Sequence, residues 1–294
     1  TWTATAHAVV WNGLSPVFAD IAPGAYTLDP QAAAGAITPR TAAIMPVNVF
    51  GCPPDYEAFT RLARDRGLRL LYDSAQGLGS RFQEADGAWR SAGVFGDAEV
   101  FSLSPTKVIS AMEGGLITTH NRPLADQLRL MRDYGKTADG GDIAWLGLSA
   151  RVPEINAIVG RHSFEQVDSL VARRHELIGA YQAAFQDLPG VTWQQIPSNR
   201  RSSGNYFTLF ISDAARACRD EAYQRLNRRG IQTKKYFYPA LHQQAVYRRW
   251  RETYQGRLPV TETASAQGLA LPLFSHMDPE TFQQVVDEVI QVLR

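Results

Sequence analysis

The sequence predicts an α/β protein. A large domain over residues 1–170 holds a mostly parallel sheet flanked by helices, and a smaller C-terminal α+β domain over residues 171–294 takes in the linking helix. Three observations predict this. In the first half, short apolar runs alternate with amphipathic stretches, the pattern of parallel strands joined by crossover helices and covered on both faces. From Val152 to Leu188 the pattern is helical with little interruption, which is long for one globular helix and predicts a bend or break. From Asn205 the order becomes strand, helix, strand and, at the end, a closing helix.

The elements follow in chain order. TATAHAVVWNG (3–13) has helical character ended by Gly13, and SPVFADI (15–21) reads as a short strand. DPQAAAGAI (29–37) is helix-like, and AAIMPVNVFG (42–51) is an apolar run stopped by Gly51. DYEAFTRLARDRG (55–67) is an amphipathic helix with Gly67 as its stop, followed by the strand LRLLYD (68–73). AEVFSLS (98–104) and GLITT (115–119) are strands, and PLADQLRLMRDYG (123–135) is a helix. TADGGDIAWLG (137–147) is a loop. NYFTLFIS (205–212) and IQTKKYFY (231–238) read as strands around the helix EAYQRLNRRG (221–230), and PETFQQVVDEVIQVL (279–293) closes the chain.

Bulk properties exclude several functions. The 294 residues are 45% hydrophobic and 20% charged, an ordinary soluble composition. A net charge of +1 gives no basis for a nucleic-acid partner. The two cysteines, Cys52 and Cys218, form neither a disulfide framework nor a CxxC metal motif. No apolar run approaches the roughly 20 residues of a membrane span, and no signal-peptide pattern is present. P-loop, GxGxxG and HExxH motifs are absent, so no nucleotide-binding loop or metal site is expected. A cytoplasmic enzyme of small molecules, without membrane or nucleic-acid partners, is the expectation.

The chemistry is carried by AEVFSLSPTKVISAMEGGLITT (98–119), where Lys107 lies between two core-like runs. Lysine is rarely buried without a reason. Asp73 ends another apolar strand in LLYDSAQG (70–77). Taken singly, Asp73 reads equally well as a helix N-cap and Lys107 as a surface lysine. Taken together they arrive at one rim, because parallel sheets gather ligands at the carboxyl ends of their strands. An acid, an amide (Gln76) and a lysine at one rim suit pyridoxal 5'-phosphate (PLP). The lysine forms a Schiff base with the aldehyde, and the carboxylate keeps the pyridine nitrogen protonated, which makes the ring an electron sink. Ser102 is placed to donate to the phosphate and Gln76 to bond the ring hydroxyl.

Five segments resemble one family. They are TWTATAHAVVWNGLSPVFADI (1–21), AITPRTAAIMPVNVFGCPPD (36–55), YDSAQGLGS (72–80), FSLSPTKVISAMEGGLITT (101–119) and SARVPEINAIVG (149–160). In combination they are similar to the DegT/DnrJ/StrS-type sugar aminotransferases, PLP enzymes of fold type I, with the aspartate-aminotransferase fold. The resemblance implies that Lys107 carries the cofactor and moves the proton, and that Asp73 holds the pyridine nitrogen. It also implies Gln76 at the ring hydroxyl, Ser102 at the phosphate and Trp2 stacked on the ring. The implied reaction moves an amino group from an amino acid, glutamate, to a nucleotide-linked keto-deoxysugar. A cyclitol (scyllo-inosose-type) aminotransferase and an inactive or regulatory relative are the alternatives. The implied assembly is a homodimer in which the segment around Ser149 and Arg151 crosses to the partner's cofactor.

Two departures from the family pattern weaken the hold on the phosphate. The family's Gly/Ser/Thr-rich turn, which lies upstream of the TWTATA segment and binds phosphate through backbone N–H groups, is not in this sequence. Ser149 stands where the family often has Asn. This 294-residue chain alone is therefore expected to be poorly soluble or weakly active. At the substrate end, TKKYFYPALHQQ (233–244) resembles a stretch near the nucleotide-sugar pocket. Lys234 and Lys235 would face a pyrophosphate, Tyr236 or Tyr238 would stack, and His242 is a further candidate. An edge strand with solvated lysines is an equal reading.

Overall fold

The computed structural model describes residues 1–294. The first helix, α1 (Thr3–Trp11), is followed by Gly13 at a φ of +72°. Asp29 accepts from the Gln31 N–H and so caps α2 (Pro30–Ala36), which has proline in its first turn. After β1 (Ala43–Ile44), Asp55 caps α3 (Tyr56–Arg66) through the Ala58 N–H. The helix ends at Gly67 with a φ of +63°, the left-handed geometry that glycine adopts without strain. Then come β2 (Arg69–Asp73), β3 (Arg81–Gln83), β4 (Trp89–Ser91), β5 (Ala98–Ser102), β6 (Gly115–Thr118) and α4 (Arg122–Met131).

The first sheet has the order β1-β2-β5-β6. β1, β2 and β5 are parallel and β6 returns antiparallel. The side-chain alternation of a strand divides it into two faces. On one face Leu70 and Tyr72 join Phe82 of β3, Ala33 of α2 and Tyr56, Phe59 and Ala63 of α3 in a buried cluster. The other face carries Leu71, Asp73, Val100 and Ile117 in register. It is not covered as the sequence pattern predicts: Leu71, Val100 and Ile117 are 36%, 48% and 50% exposed. The reason is that α2 and α3 both pack on the Tyr72 side.

The predicted break in the long helical stretch is present. α5 (Glu154–Glu165) and α6 (Val167–Phe185) are separated at Gln166, whose φ of −102° and ψ of 5° are not helical. Val167, Leu170 and Val171 of α6 pack on Leu103, Val108 and Ile109, whereas Leu177, Tyr181 and Phe185 enter the largest core. That core surrounds an antiparallel sheet of order β10-β9-β7, with β7 (Val191–Trp193), β9 (Phe207–Ile211) and β10 (Gly268–Leu271). β8 (Arg200–Arg201), between β7 and β9, pairs instead with β3. α7 (Arg219–Arg228), α8 (Arg248–Tyr254), α9 (Pro259–Gln267) and α10 (Pro279–Leu293) complete the chain. α10 buries Val285, Val286, Val289, Val292 and Leu293, spaced to form one helical stripe. No helix is long and apolar enough to cross a membrane.

Two predicted strands are absent. Residues 15–21 form only the bridge Ile21–Leu28. Asp20 is committed elsewhere: its carboxylate accepts from the N–H groups of Val260 and Thr261 and from the Thr261 hydroxyl, at the start of α9. Residues 231–238 form one bridge, Lys234–Ala270, and then turn, with cis peptide bonds at Tyr236–Phe237 and Tyr238–Pro239. Adjacent aromatic rings fold together here instead of alternating across a sheet. Tyr236 stacks on Phe237 at 4.8 Å, and Phe237 stacks on Phe50 at 5.6 Å.

Candidate active site

Asp73 ends β2, and Ser102 ends the neighbouring parallel strand β5. Register pairs Asp73 with Val100, two residues before Ser102, so both polar side chains stand on one face at one rim. Beyond β5 the chain makes a tight turn. The Lys107 N–H donates to the Ser104 carbonyl at 3.0 Å, and the Val108 N–H donates to Asn205 Oδ1 at 3.2 Å. The Ser102 hydroxyl lies 3.2 Å from that of Ser104. Lys107 is half-buried. The lysines that form ion pairs are Lys136 and Lys235, and Lys107 forms none.

Asp73 is fixed at both oxygens. Oδ1 accepts from the Ala75 N–H at 3.1 Å and Oδ2 from the Thr5 hydroxyl at 2.5 Å. Gln76 is buried, and its Oε1 accepts from the Phe50 N–H at 2.8 Å. That bond fixes which end of the amide is which, and leaves Nε2 as a donor with no protein acceptor. Trp2 lies just ahead of α1 and is 59% exposed, with its ring 6.5 Å from Phe237. Trp2, Phe237, Phe50 and Gln76 thus form a continuous run of contacts.

A buried polar layer supports this rim. The Ser74 hydroxyl donates to Glu99 Oε2 at 2.7 Å, and Glu99 Oε1 accepts from the N–H groups of Gly93 and Phe95 at 2.6 and 2.9 Å. Burial raises the Glu99 carboxyl above the ordinary carboxylate range, and the donors Ser74, Phe95, Gly93 and Tyr56 oppose that shift. Asn48 donates to the Tyr56 hydroxyl at 3.1 Å, and its own N–H donates to the Asp73 carbonyl at 3.0 Å. The turn after Gln76 requires glycine, because a Cβ on Gly77 would lie 2.4 Å from Asn48 Nδ2.

The segment ahead of β9 is a second support. The Ser203 hydroxyl donates to the Gln76 carbonyl at 2.6 Å, while Asn205 receives the Lys107 turn. The guanidinium of Arg174, buried in α6, is directed at the carbonyls of Gly204, Asn205 and Leu273. Burial lowers that guanidinium to about 10, with no carboxylate beside it. Sequence reasoning missed Thr5, Asn48, Ser74, Glu99, Ser203 and Asn205. A Ser-Ser-Gly-Asn run reads only as a turn, and an acid inside an apolar strand, Glu99, was the one available signal.

Not every sequence candidate joins the rim. Ser149 is exposed and bridged to Asp133, with no bond to the cluster. Lys234 is exposed, as expected of a solvated lysine. Lys235 is not free: Nζ pairs with Asp220 at 2.8 Å and lies over the Tyr223 ring. Pairing with Lys235, and with Arg219, holds the Asp220 carboxyl below its usual range. Tyr236 is half-buried, and burial beside Tyr206 pushes its phenol up to about 12. His242 is enclosed at 1% exposure, with Nε2 3.1 Å from Glu262, so it faces an acid and not solvent.

The donor set fits PLP. An anchored carboxylate, an amide nitrogen without an acceptor, a hydroxyl and an unpaired amine match a ring nitrogen, a ring oxygen, a phosphate and an aldehyde. Over residues 1–290 the chain matches the model of the DegT/DnrJ/EryC1/StrS aminotransferase family. It is 32% identical over 288 residues to the erythromycin biosynthesis sensory transduction protein EryC1 of Saccharopolyspora erythraea, across 97% of this chain and 75% of that protein. It is 28% identical over 281 residues to a dTDP-4-amino-4,6-dideoxy-D-glucose transaminase of Escherichia coli, across 95% of this chain and 74% of that protein. Among solved structures, DesI in the presence of its TDP-sugar product superimposes with a TM-score of 0.87 at 35% identity, across 98% of this chain and 72% of that one. A family match along nearly the whole chain, over a rim that fits PLP, leads to one conclusion: the chain belongs to the DegT/DnrJ/EryC1/StrS aminotransferase family and is a PLP-dependent aminotransferase of the fold-type-I class.

Proposed function

We propose that the chain moves an amino group from glutamate to the keto carbon of a nucleotide-linked keto-deoxysugar. The observation that carries the reaction is the unpaired, half-buried Lys107 at the rim shared with Asp73. The sugar rests on the relatives, one named as a transaminase of a dTDP-linked aminodideoxyglucose and one solved with a TDP-sugar product.

PLP, when bound, supplies an electron sink for the bond broken at the amino-bearing carbon. The Asp73 carboxylate would keep the proton on the ring nitrogen. Gln76 Nε2 would donate to the ring oxygen and the Ser102 hydroxyl to the phosphate. Lys107 Nζ would hold the cofactor between turnovers, remove the α proton of the donor and deliver a proton to the former keto carbon of the sugar. Trp2 would cover one face of the bound ring. The test is release of 2-oxoglutarate from glutamate with each acceptor. A dTDP-4-keto-6-deoxyhexose is expected to be used at least about tenfold faster than scyllo-inosose, a difference of about 1.4 kcal/mol in barrier. The reverse order would assign a cyclitol substrate.

The same reading includes a homodimer. Ile143, Leu146, Leu148, Ile155 and Ile158 are exposed between 57% and 94%, and Trp145, Ser149 and Arg151 lie among them. So many apolar side chains on one segment mark a contact surface. Light scattering at micromolar concentration is expected to give twice the chain mass of 32.5 kDa, and Leu146→Asp is expected to lower it. A monomer with full PLP occupancy would rule out a site shared between subunits.

A further inference from the structure

We propose that Thr5 is a positioning residue for the reaction, its hydroxyl fixing the Asp73 carboxylate in the orientation that meets the cofactor's ring nitrogen. The inference rests on the role assigned to Asp73 above.

Thr5 is the third residue of α1 and only 9% exposed. A threonine within a helix commonly returns its hydroxyl to a carbonyl of the preceding turn. This one donates to Asp73 Oδ2 at 2.5 Å, across 68 positions of sequence. Its branched Cβ restricts χ1 to two helical rotamers, and the one adopted sends the hydroxyl to Asp73. α1 is held in turn from its middle, where His7 Nδ1 lies 2.8 Å from the hydroxyl of the buried Tyr247.

The main chain of Asp73 is already fixed. Its N–H donates to Pro46 and its carbonyl accepts from Asn48, both at 3.0 Å. Only the side-chain torsions remain, and Ala75 N–H on Oδ1 with Thr5 on Oδ2 removes that freedom. A carboxylate has about four acceptor positions, so each oxygen keeps one for a further donor. The carboxylate also sits at the first turn of α1, where the helix dipole favours a negative charge. Trp2, at the cap position of α1, makes no side-chain cap bond, so Asp73 is the acid at that helix end.

The experiment compares Thr5→Val, Thr5→Ser, Asp73→Asn and the double variant Thr5→Val/Asp73→Asn in the full chain. The readouts are PLP affinity by equilibrium dialysis, kcat and KM for glutamate, and the urea unfolding midpoint. Thr5→Val is expected to raise the PLP Kd and to lower kcat by about tenfold each, the lower end of what one hydrogen bond to a charged group contributes. KM for glutamate should change less than about twofold, on the same scale of energies. Thr5→Ser keeps the hydroxyl and is expected to restore most of the loss. In the Asp73→Asn background, Thr5→Val should have little further effect, since the two act through one contact. Parental affinity and kcat in Thr5→Val would overturn the inference. So would equal losses in the Val and Ser variants, which would assign the effect to helix packing. An undiminished Thr5→Val effect on top of Asp73→Asn would also overturn it. Parental turnover in Asp73→Asn alone removes the premise, a failure recognisable without either Thr5 variant.

Discussion

Lys107→Ala is expected to lower transamination by about 10⁴-fold or more, while the protein still retains PLP. A positioned acid/base contributes roughly 10²–10⁴-fold by itself, and Lys107 is also assigned the attachment of the cofactor. The fold should tolerate the change. Lys107 makes no ion pair, and its turn is held by its own N–H on the Ser104 carbonyl and by the Val108 N–H on Asn205 Oδ1. Initial rates with glutamate measure the loss. Borohydride treatment of the PLP-loaded parent, followed by peptide mapping, identifies the lysine that carries the label. Label on Lys234, Lys235 or Lys136, or appreciable turnover in Lys107→Ala, would remove the assignment.

Asp73→Asn should be the next most damaging change, lowering kcat roughly 10²–10³-fold, the scale seen when one electrostatic partner of a reacting group is lost. The shape is preserved, so Ala75 and Thr5 still have an oxygen and an amide to meet. The charge is lost, and with it the partner that keeps the ring nitrogen protonated. A charge-assisted bond is about twice as strong as a neutral one, so PLP affinity should fall as well. Asp73→Glu keeps the charge but displaces it by one methylene from the position that Thr5 and Ala75 hold, and is expected to be intermediate. The measurements are kcat, PLP affinity and the visible spectrum of the loaded protein. Turnover in Asp73→Asn close to the parent would mean that another group holds the ring nitrogen.

Local sequence determined much of this protein. Helices α1, α2, α3, α4, α7 and α10 follow from apolar spacing, aspartate caps and glycine stops, because those interactions lie within one or two turns of chain. The strands ending in Asp73 and Ser102 were legible as apolar runs, and a parallel sheet places such ends at one rim. Lys107 was legible because a lysine between two core-like runs needs a reason. The family-like segments then supplied roles for residues that spacing alone left ambiguous.

The tertiary structure decided what depends on partners far away in sequence. Residues 15–21 have strand composition, yet Asp20 is drawn to the start of α9 near position 260, and charge-assisted caps outweigh a weak edge pairing. Residues 231–238 also have strand composition, but their neighbouring aromatic rings gain more by stacking on Phe50 than by alternating across a sheet. Lys235 and His242 look like free polar groups in a linear reading and become partners of Asp220 and Glu262 only when the chain folds. Asp73 is the clearest case. The sequence shows an acid at a strand end, and only the packing of α1 against that end shows that Thr5 holds its carboxylate. Hydrogen bonds between buried groups are specified by position in space, and no periodicity of the chain encodes a contact across 68 residues.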